Sequence, residues 1–389
     1  MEQINLAKDT ISIEDINSLC EWLKTSPRLT KSKLTDQLES EFCDYLNTSA
    51  TLLVNSGSSA NMLCVQSLIQ GNFLKNNIVI APAVSWVTTV TPLLQSNMSV
   101  HLCETDKQNL GLDIDHFKYL VKKHNPGLVV LVHVLGHSNH MEEIVKICND
   151  NKIYIMEDSC EALGSHINDK YLGTTGIVGT YSFYYGHQMS TIEGGLAITN
   201  NSELSYIMKS IRAHGWSRDI PPGIKNKWGK EYGIDRCRDL YTFYYSGYNF
   251  RATEIQAHLG LLQLKKLSKF TEHRHNITTL YKKYLPSTFF HQSSDTTAVA
   301  CMGHATLVKN RLQVFDYLQQ NNIETRPLIC GNVGRQPFWL KVKPPFNSPH
   351  ADLVHEHGIY LPCHSDLTLQ EVEYICKKFL EIAKPIHFK

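Results

Sequence analysis

Thr51-Leu52-Leu53-Val54-Asn55-Ser56-Gly57-Ser58-Ser59-Ala60 is a short apolar run, then a polar turn with one glycine, then the start of a second apolar stretch that continues to Ile69. The run of four is strand-sized and the stretch after the turn is helix-sized, so the segment reads as strand, turn and helix. In such a unit the first backbone N–H groups of the helix have no partner and attract an anion. An ordinary strand–helix turn has the same appearance, so the segment decides the fold before it decides the chemistry.

Working outward, residues 78–81, 100–103, 128–135 and 153–156 are further strand-sized apolar runs. Helical patterns separate them: one begins near Asp113, runs to about His124 and is stopped by Asn125-Pro126-Gly127, and another covers 141–149. Strands alternating with helices predict βαβ units and a mainly parallel sheet. The Val/Ile/Leu character of the strands predicts a sheet covered on both faces. After Arg251 the pattern changes. Thr253 can cap a long helix with Ile255, Leu259 and Leu262 on one face, running on toward Leu285, and a terminal helix is expected near 369–383. The expectation is an α/β chain with a large domain, residues 1–250, and a smaller C-terminal α+β domain, residues 251–389.

Composition removes several function classes. Of 389 residues 42% are hydrophobic and 19% charged, which is a core-forming balance. Lys+Arg minus Asp+Glu is 38 − 37 = +1, so nothing pulls the whole chain toward nucleic acid or an anionic membrane. No apolar run reaches the roughly 18 residues of a membrane span, and the N-terminus lacks a basic and then apolar leader. The 11 cysteines are odd in number and contain no CxxC pair, which disfavours a disulfide framework and a structural metal site. Reduced thiols in a cytoplasmic protein are expected.

Three segments fall where open α/β sheets bind ligands, beyond the carboxyl ends of strands. The first is the Ser56-Gly57-Ser58 turn. The second is Glu157-Asp158-Ser159-Cys160-Glu161, where a carboxylate on a rigid strand end can pair with a protonated ring nitrogen; Asp158 would equally suit a helix N-cap. The third is Ser182-Phe183-Tyr184-Tyr185-Gly186-His187-Gln188-Met189 with Glu193-Gly194-Gly195, a glycine-bearing loop in which His187 is the one imidazole.

Together these segments resemble the DegT/DnrJ/EryC1/StrS family of sugar aminotransferases, over nearly the whole chain. Pro82-Ala83-Val84-Ser85-Trp86 and Gly247-Tyr248-Asn249-Phe250-Arg251 belong to the same resemblance. It implies the aspartate-aminotransferase-like architecture (fold type I) and pyridoxal 5′-phosphate as cofactor. Ser56, Gly57 and Ser58 would serve the phosphate, Ser182 would open the cofactor-binding loop, Trp86 would stack on the ring, and Asp158 would pair with the pyridinium. Glu161 would hydrogen-bond the ring 3-oxygen, which needs one proton between the two oxygens. Asn249 would reach the phosphate of a neighbouring subunit, so the resemblance implies a homodimer with shared active sites.

One departure bears on function. The family's aminotransferases carry a lysine in this loop, which forms the imine with the cofactor aldehyde. Here the position is His187, and no lysine occurs between Lys170 and Lys209. That substitution, with Arg212-Ala213-His214-Gly215-Trp216-Ser217-Arg218 and Arg326-Pro327, resembles the family's nucleotide-sugar 3-dehydratases. The resemblance implies removal of the C3 hydroxyl of a nucleotide-linked 4-keto-6-deoxyhexose, with GDP-4-keto-6-deoxy-D-mannose the expected substrate. Glutamate would convert the cofactor to pyridoxamine 5′-phosphate, and His187 would move the proton. His214, Arg218 and Arg326 are candidates for holding substrate; either arginine would equally serve as a surface charge. Three rivals stand beside this reading: a CDP-linked 3-dehydratase with an iron–sulfur cluster, a 4-ketosugar aminotransferase, and a binding paralogue without activity. The cluster type needs a Cys-x-Cys pair, which this chain lacks; Cys237 stands alone.

Overall fold

The computed structural model describes residues 2–388. Nine strands precede the C-terminal region: β1 Ala50–Val54, β2 Ile78–Pro82, β3 Ser99–Cys103, β4 Leu128–Val132, β5 Tyr154–Asp158, β6 His166–Ile167, β7 Lys170–Tyr171, β8 Val178–Ser182 and β9 Gly195–Thr199. Seven of them form one sheet in the order β1-β9-β8-β5-β4-β2-β3. The pairs β2/β3, β2/β4, β4/β5 and β5/β8 are parallel, and β9 runs antiparallel to both β8 and β1. β4 is buried at every position, as a strand covered on both faces must be. One face packs Leu63, Val65 and Leu68 of the helix Gly57–Gln70 with Ile207 and Met208 of the helix Ser202–Arg212. The other packs Phe117 and Leu120 of the helix Ile114–His124 with Ile144 of the helix Met141–Asn151.

The C-terminal region adds β10 Gly303–Leu307, β11 Arg326–Pro327 and β12 Gly358–Pro362, an antiparallel sheet ordered β10-β12-β11. Its core includes Phe289, Leu361 and Phe379, and reaches back to Ile4 and Leu6 near the N-terminus and to Ala83 and Val134 beside the large sheet. Ile4 bridges Ile323 in parallel.

Several expected bounds shift. The run 128–135 stops as a strand at Val132; Val134–Gly136 is a short 3-10 turn in which Leu135 has a φ of 51°. No helix follows Asp158, so its carboxylate caps none; Oδ1 accepts from the Cys160 N–H at 3.2 Å. Thr253 does cap a helix, through a reciprocal pair with Gln256. That helix, Glu254–Leu264, ends at Lys265, and a second one, Leu267–Tyr284, begins beyond it. Its buried face is Ala257, Leu259 and Leu261, with Ile255 and Leu262 only half-buried. Buried Glu254 sets this rotation, because its carboxylate accepts from the N–H groups of Ser32, Leu34 and Thr35.

Candidate active site

The carboxyl ends of β1, β5 and β8 and the N-terminus of the helix Gly57–Gln70 meet at one cavity of about 470 Å³. Among the residues singled out from sequence, Gly57, Ser58, Trp86, Asp158, Glu161, Ser182, His187 and Arg326 line it, and no lysine does.

The anion end is built by local sequence. Ser56 is the N-cap and accepts from the Ser59 N–H at 3.0 Å. Gly57 follows because a side chain does not fit: a Cβ there would lie 2.7 Å from Ser182 Cβ and 2.9 Å from Cys160 Sγ. The Ser58 hydroxyl donates to Thr88 Oγ1 at 3.0 Å. Free N–H groups, two serine hydroxyls and a positive helix end fit a phosphate.

Asp158 is buried at the end of β5, and three donors hold it: Asn61 Nδ2 and Thr89 Oγ1 to Oδ2 at 2.8 and 2.7 Å, and the Cys160 N–H to Oδ1. The carboxylate adjacent in sequence is turned the other way. Glu157 is buried against His133 Nε2 at 2.9 Å and the N–H groups of Gly173, Thr175 and Gly176. Burial pushes its pKa up, but His133 and those backbone donors bring it below the usual carboxylate range. Of the Glu157-Asp158 pair, then, Asp158 faces the cavity and Glu157 pins the 173–176 turn.

Glu161 accepts from the Leu135 N–H at 2.8 Å, a contact made possible by the left-handed Leu135. Burial pushes its pKa to about 8, so at neutral pH it carries a proton and can donate it in a hydrogen bond. Trp86 ends β2's loop, is 54% exposed, and no ring of the described residues stacks on it, so a wide aromatic face is free.

His187 is half-buried, and its Nδ1 is buried without a partner. Its N–H donates to the Tyr184 carbonyl at 3.0 Å, closing the turn that aims the ring at the cavity. Burial first, and the charge of Arg274, lower its pKa to about 4 despite the Cys160 carbonyl and Asp158. The imidazole is therefore a neutral base at physiological pH.

Arg326 stands at the rim and pairs with Glu324 Oε1 at 2.8 Å. Asn249, His214 and Arg218 do not line the cavity of their own chain. Asn249 and His214 are exposed together, joined by Arg251: Nε to Asn249 Oδ1 at 3.1 Å and Nη2 to His214 Nε2 at 3.3 Å. The Arg218 guanidinium lies 5.4 Å from the Trp216 ring centre. Sequence reasoning passed over Asn61, Thr89 and Arg274. Asn61 had a signal: it is an amide side chain one turn after Gly57, among helix positions whose buried residues are mostly apolar.

All eleven cysteines are free. Among the described residues no group of three or more His, Cys, Asp or Glu side chains is placed to hold a metal, and no helix is long and apolar enough to cross a membrane.

Known proteins share this chain's sequence pattern and fold. The chain is 32% identical over 381 residues to GDP-4-keto-6-deoxy-D-mannose 3-dehydratase of Yersinia pseudotuberculosis, covering 94% of this chain and 95% of that one. The E. coli GDP-4-keto-6-deoxy-D-mannose 3-dehydratase with bound hydrated pyridoxal phosphate superposes with a TM-score of 0.88 at 28% identity, covering 97% of this chain and all of the other. A structure of such a dehydratase with a trapped cofactor–glutamate geminal diamine gives 0.87 at 28% identity, with the same coverage. The sequence model of the DegT/DnrJ/EryC1/StrS aminotransferase family matches residues 10–380, and the chain belongs to that family.

Proposed function

We propose that this protein is a pyridoxal/pyridoxamine phosphate-dependent lyase acting on nucleotide sugars. It removes the C3 hydroxyl of GDP-4-keto-6-deoxy-D-mannose and gives the 4-keto-3,6-dideoxy sugar, with glutamate as amino donor. The observation that carries this is the cavity itself: a cofactor cradle with Asp158 anchored by three donors, an aromatic face at Trp86, and a neutral imidazole in place of any amine. One similar dehydratase structure holds hydrated pyridoxal phosphate and another a trapped cofactor–glutamate geminal diamine. A cradle so complete has no physical reason to persist in an inactive paralogue.

The cofactor, held by these residues, would supply an amine for the sugar C4 ketone and a pyridinium able to accept electrons. This chain's residues do the rest. The N–H groups of Gly57 and Ser58 and the Ser58 and Ser182 hydroxyls hold the phosphate. Asp158 keeps the ring nitrogen protonated, Trp86 covers the ring, and protonated Glu161 donates to a ring oxygen. His187 takes a proton and gives one to the leaving 3-hydroxyl; as a neutral imidazole without an amine it does this and forms no bond that would compete for the aldehyde. The sum balances: carbon 3 of the sugar gains two electrons and loses oxygen, while glutamate is oxidised to 2-oxoglutarate and its nitrogen leaves as ammonia.

Arg326, from the rim, receives an anionic part of the substrate or donor. Asn249, His214 and Arg218 lie outside their own cavity, which suits service to the site of a second copy. We place the protein in a homodimer, in the cytoplasm, with residues 1–250 as the cofactor-binding domain and 251–389 as the smaller one. Tyr184, which lines the cavity, and Tyr185 and Ile192, each adjacent in sequence to a lining residue, support an assembly as large exposed side chains. Mixing an inactive His187→Gln protein with an inactive Asn249→Ala protein should restore activity through hybrid dimers; no restoration would sink the shared site. The function is tested with GDP-, CDP- and dTDP-linked 4-keto-6-deoxyhexoses, glutamate and pyridoxal phosphate, read by mass. Loss of an oxygen on the GDP sugar is expected, and gain of nitrogen would establish an aminotransferase instead.

A further inference from the structure

Arg274 sits on the helix Leu267–Tyr284 and is 1% exposed. Its guanidinium forms no ion pair with a carboxylate among the described residues. Burying a lone cation is costly unless its protons are satisfied, and here backbone oxygens satisfy them. Nη1 donates to the carbonyls of Cys301 and Cys363 at 3.0 and 2.5 Å, and Nη2 donates to the carbonyl of His187 at 3.0 Å. Nε stays unpartnered. Cys363 directly follows β12 and Cys301 shortly precedes β10. One side chain therefore ties the end of the C-terminal sheet to the loop residue that carries the base.

We infer that Arg274 is the positioning residue of this site: its fork fixes the His187 loop against the C-terminal sheet, and its buried positive charge stands beside a base that must stay uncharged to act. The inference rests on His187 being that base. The groups facing His187 are few: Asp158 at the end of β5, the Cys160 carbonyl, Tyr184 with its ring centre 6.3 Å away, and Arg274 from the packed helix. Asp158 favours the imidazolium and Arg274 opposes it. Arg274 itself is faced by the Cys301 and Cys363 thiols. Its charge also reaches His364, whose pKa falls to about 4 through burial first and Arg274 next. An imidazolium formed beside a fixed cation is a strong acid, which suits return of the proton to a departing hydroxyl. Lysine carries the charge but cannot span three carbonyls in a plane.

The test compares Arg274→Gln and Arg274→Lys holoenzymes in dehydration of the GDP-linked 4-ketosugar across pH. The glutamine variant should move the acid limb of kcat/KM upward by about 1 unit or more. The lysine variant should keep the limb within half of that shift while kcat falls, because the charge remains and the loop placement suffers. Equal limbs in all three proteins, or equal shifts in both variants, would overturn the inference. Ring-carbon NMR titration of His187 in the wild-type holoenzyme, assigned by difference from His187→Gln, is independent of whether a variant folds. A His187 midpoint near 6.5 would overturn the inference, and one well below it supports it. Full dehydration by His187→Gln would instead overturn the assignment of the base, and so separates the two failures.

Discussion

Thr89 Oγ1 donates to Asp158 Oδ2 at 2.7 Å, on the same oxygen that Asn61 Nδ2 approaches at 2.8 Å. Two donors on one oxygen hold the carboxylate plane still, so the charge is presented in one direction only. Removing one donor from a charged acceptor costs roughly 1.5–3 kcal/mol, part of which appears in what the carboxylate binds. Thr89→Val should thus weaken pyridoxal phosphate binding by about tenfold. Asp158→Asn should weaken it further, because the ring nitrogen loses its counter-charge. Fluorescence titration of apoprotein with the cofactor reads both. Unchanged affinity in Asp158→Asn would remove this residue from the cradle.

His187→Lys puts a primary amine at the cavity wall where the native side chain has none. The expected product is a protein bonded to its cofactor through the introduced amine, stable after borohydride and visible as added mass. Dehydration should fall by at least about 100-fold, the usual weight of a positioned acid–base group. Wild-type turnover in this variant would show that the base lies elsewhere.

The elements legible in sequence are those whose burial leaves a periodic mark. β1 through β5 stand within two residues of expectation at most ends because their runs are mostly apolar. β8, Val-Gly-Thr-Tyr-Ser, and β9, Gly-Leu-Ala-Ile-Thr, were not foreseen as strands: small and polar residues dilute the signal although every position is buried. The break at Lys265 was invisible because no Pro or Gly marks it. In the site, residues on strand ends and in loops were legible, as chemistry-bearing types at ligand-binding positions. Arg274 was not, because its role depends on three carbonyls drawn from 187, 301 and 363, and no local pattern encodes that meeting.

Glu161 makes stability fall as pH rises. Its folded pKa of about 8 lies above the ordinary value of 4.5, so the folded state holds a proton that the unfolded state releases. Below about 4.5 both states are protonated and nothing is lost; between 4.5 and 8 the native state is penalised by on the order of 1 kcal/mol per pH unit. Glu161→Gln keeps the shape and removes the titration. The apoprotein variant should therefore be more stable than wild type near pH 7.5, and the advantage should shrink toward pH 5. Denaturant midpoints across that range measure it, and a pH-independent difference would mean that Glu161 is ionised in the folded protein.

Ile192 has a φ of 73°, left-handed backbone that a β-branched residue tolerates poorly. Its neighbours force the conformation. The Ile192 N–H donates to Ser190 Oγ at 3.1 Å, the Thr191 N–H to the Phe183 carbonyl at 2.9 Å, and Gln256 Nε2 to the Glu193 carbonyl at 2.5 Å. The side chain is 54% exposed, so within this chain little packing offsets the strain. Left-handed backbone costs a side-chain-bearing residue roughly 1–2 kcal/mol, while glycine adds about 0.5–1 kcal/mol of unfolded-state entropy. Ile192→Gly should then stabilise the isolated subunit by up to about 1 kcal/mol, seen as a higher denaturant midpoint at low protein concentration. At high concentration the sign tests the dimer. If a second copy covers Ile192, the glycine variant loses that contact and dissociates at higher protein concentration than wild type. A variant less stable than wild type at every concentration would mean that the isoleucine side chain contributes more packing within its own subunit than the backbone strain takes away.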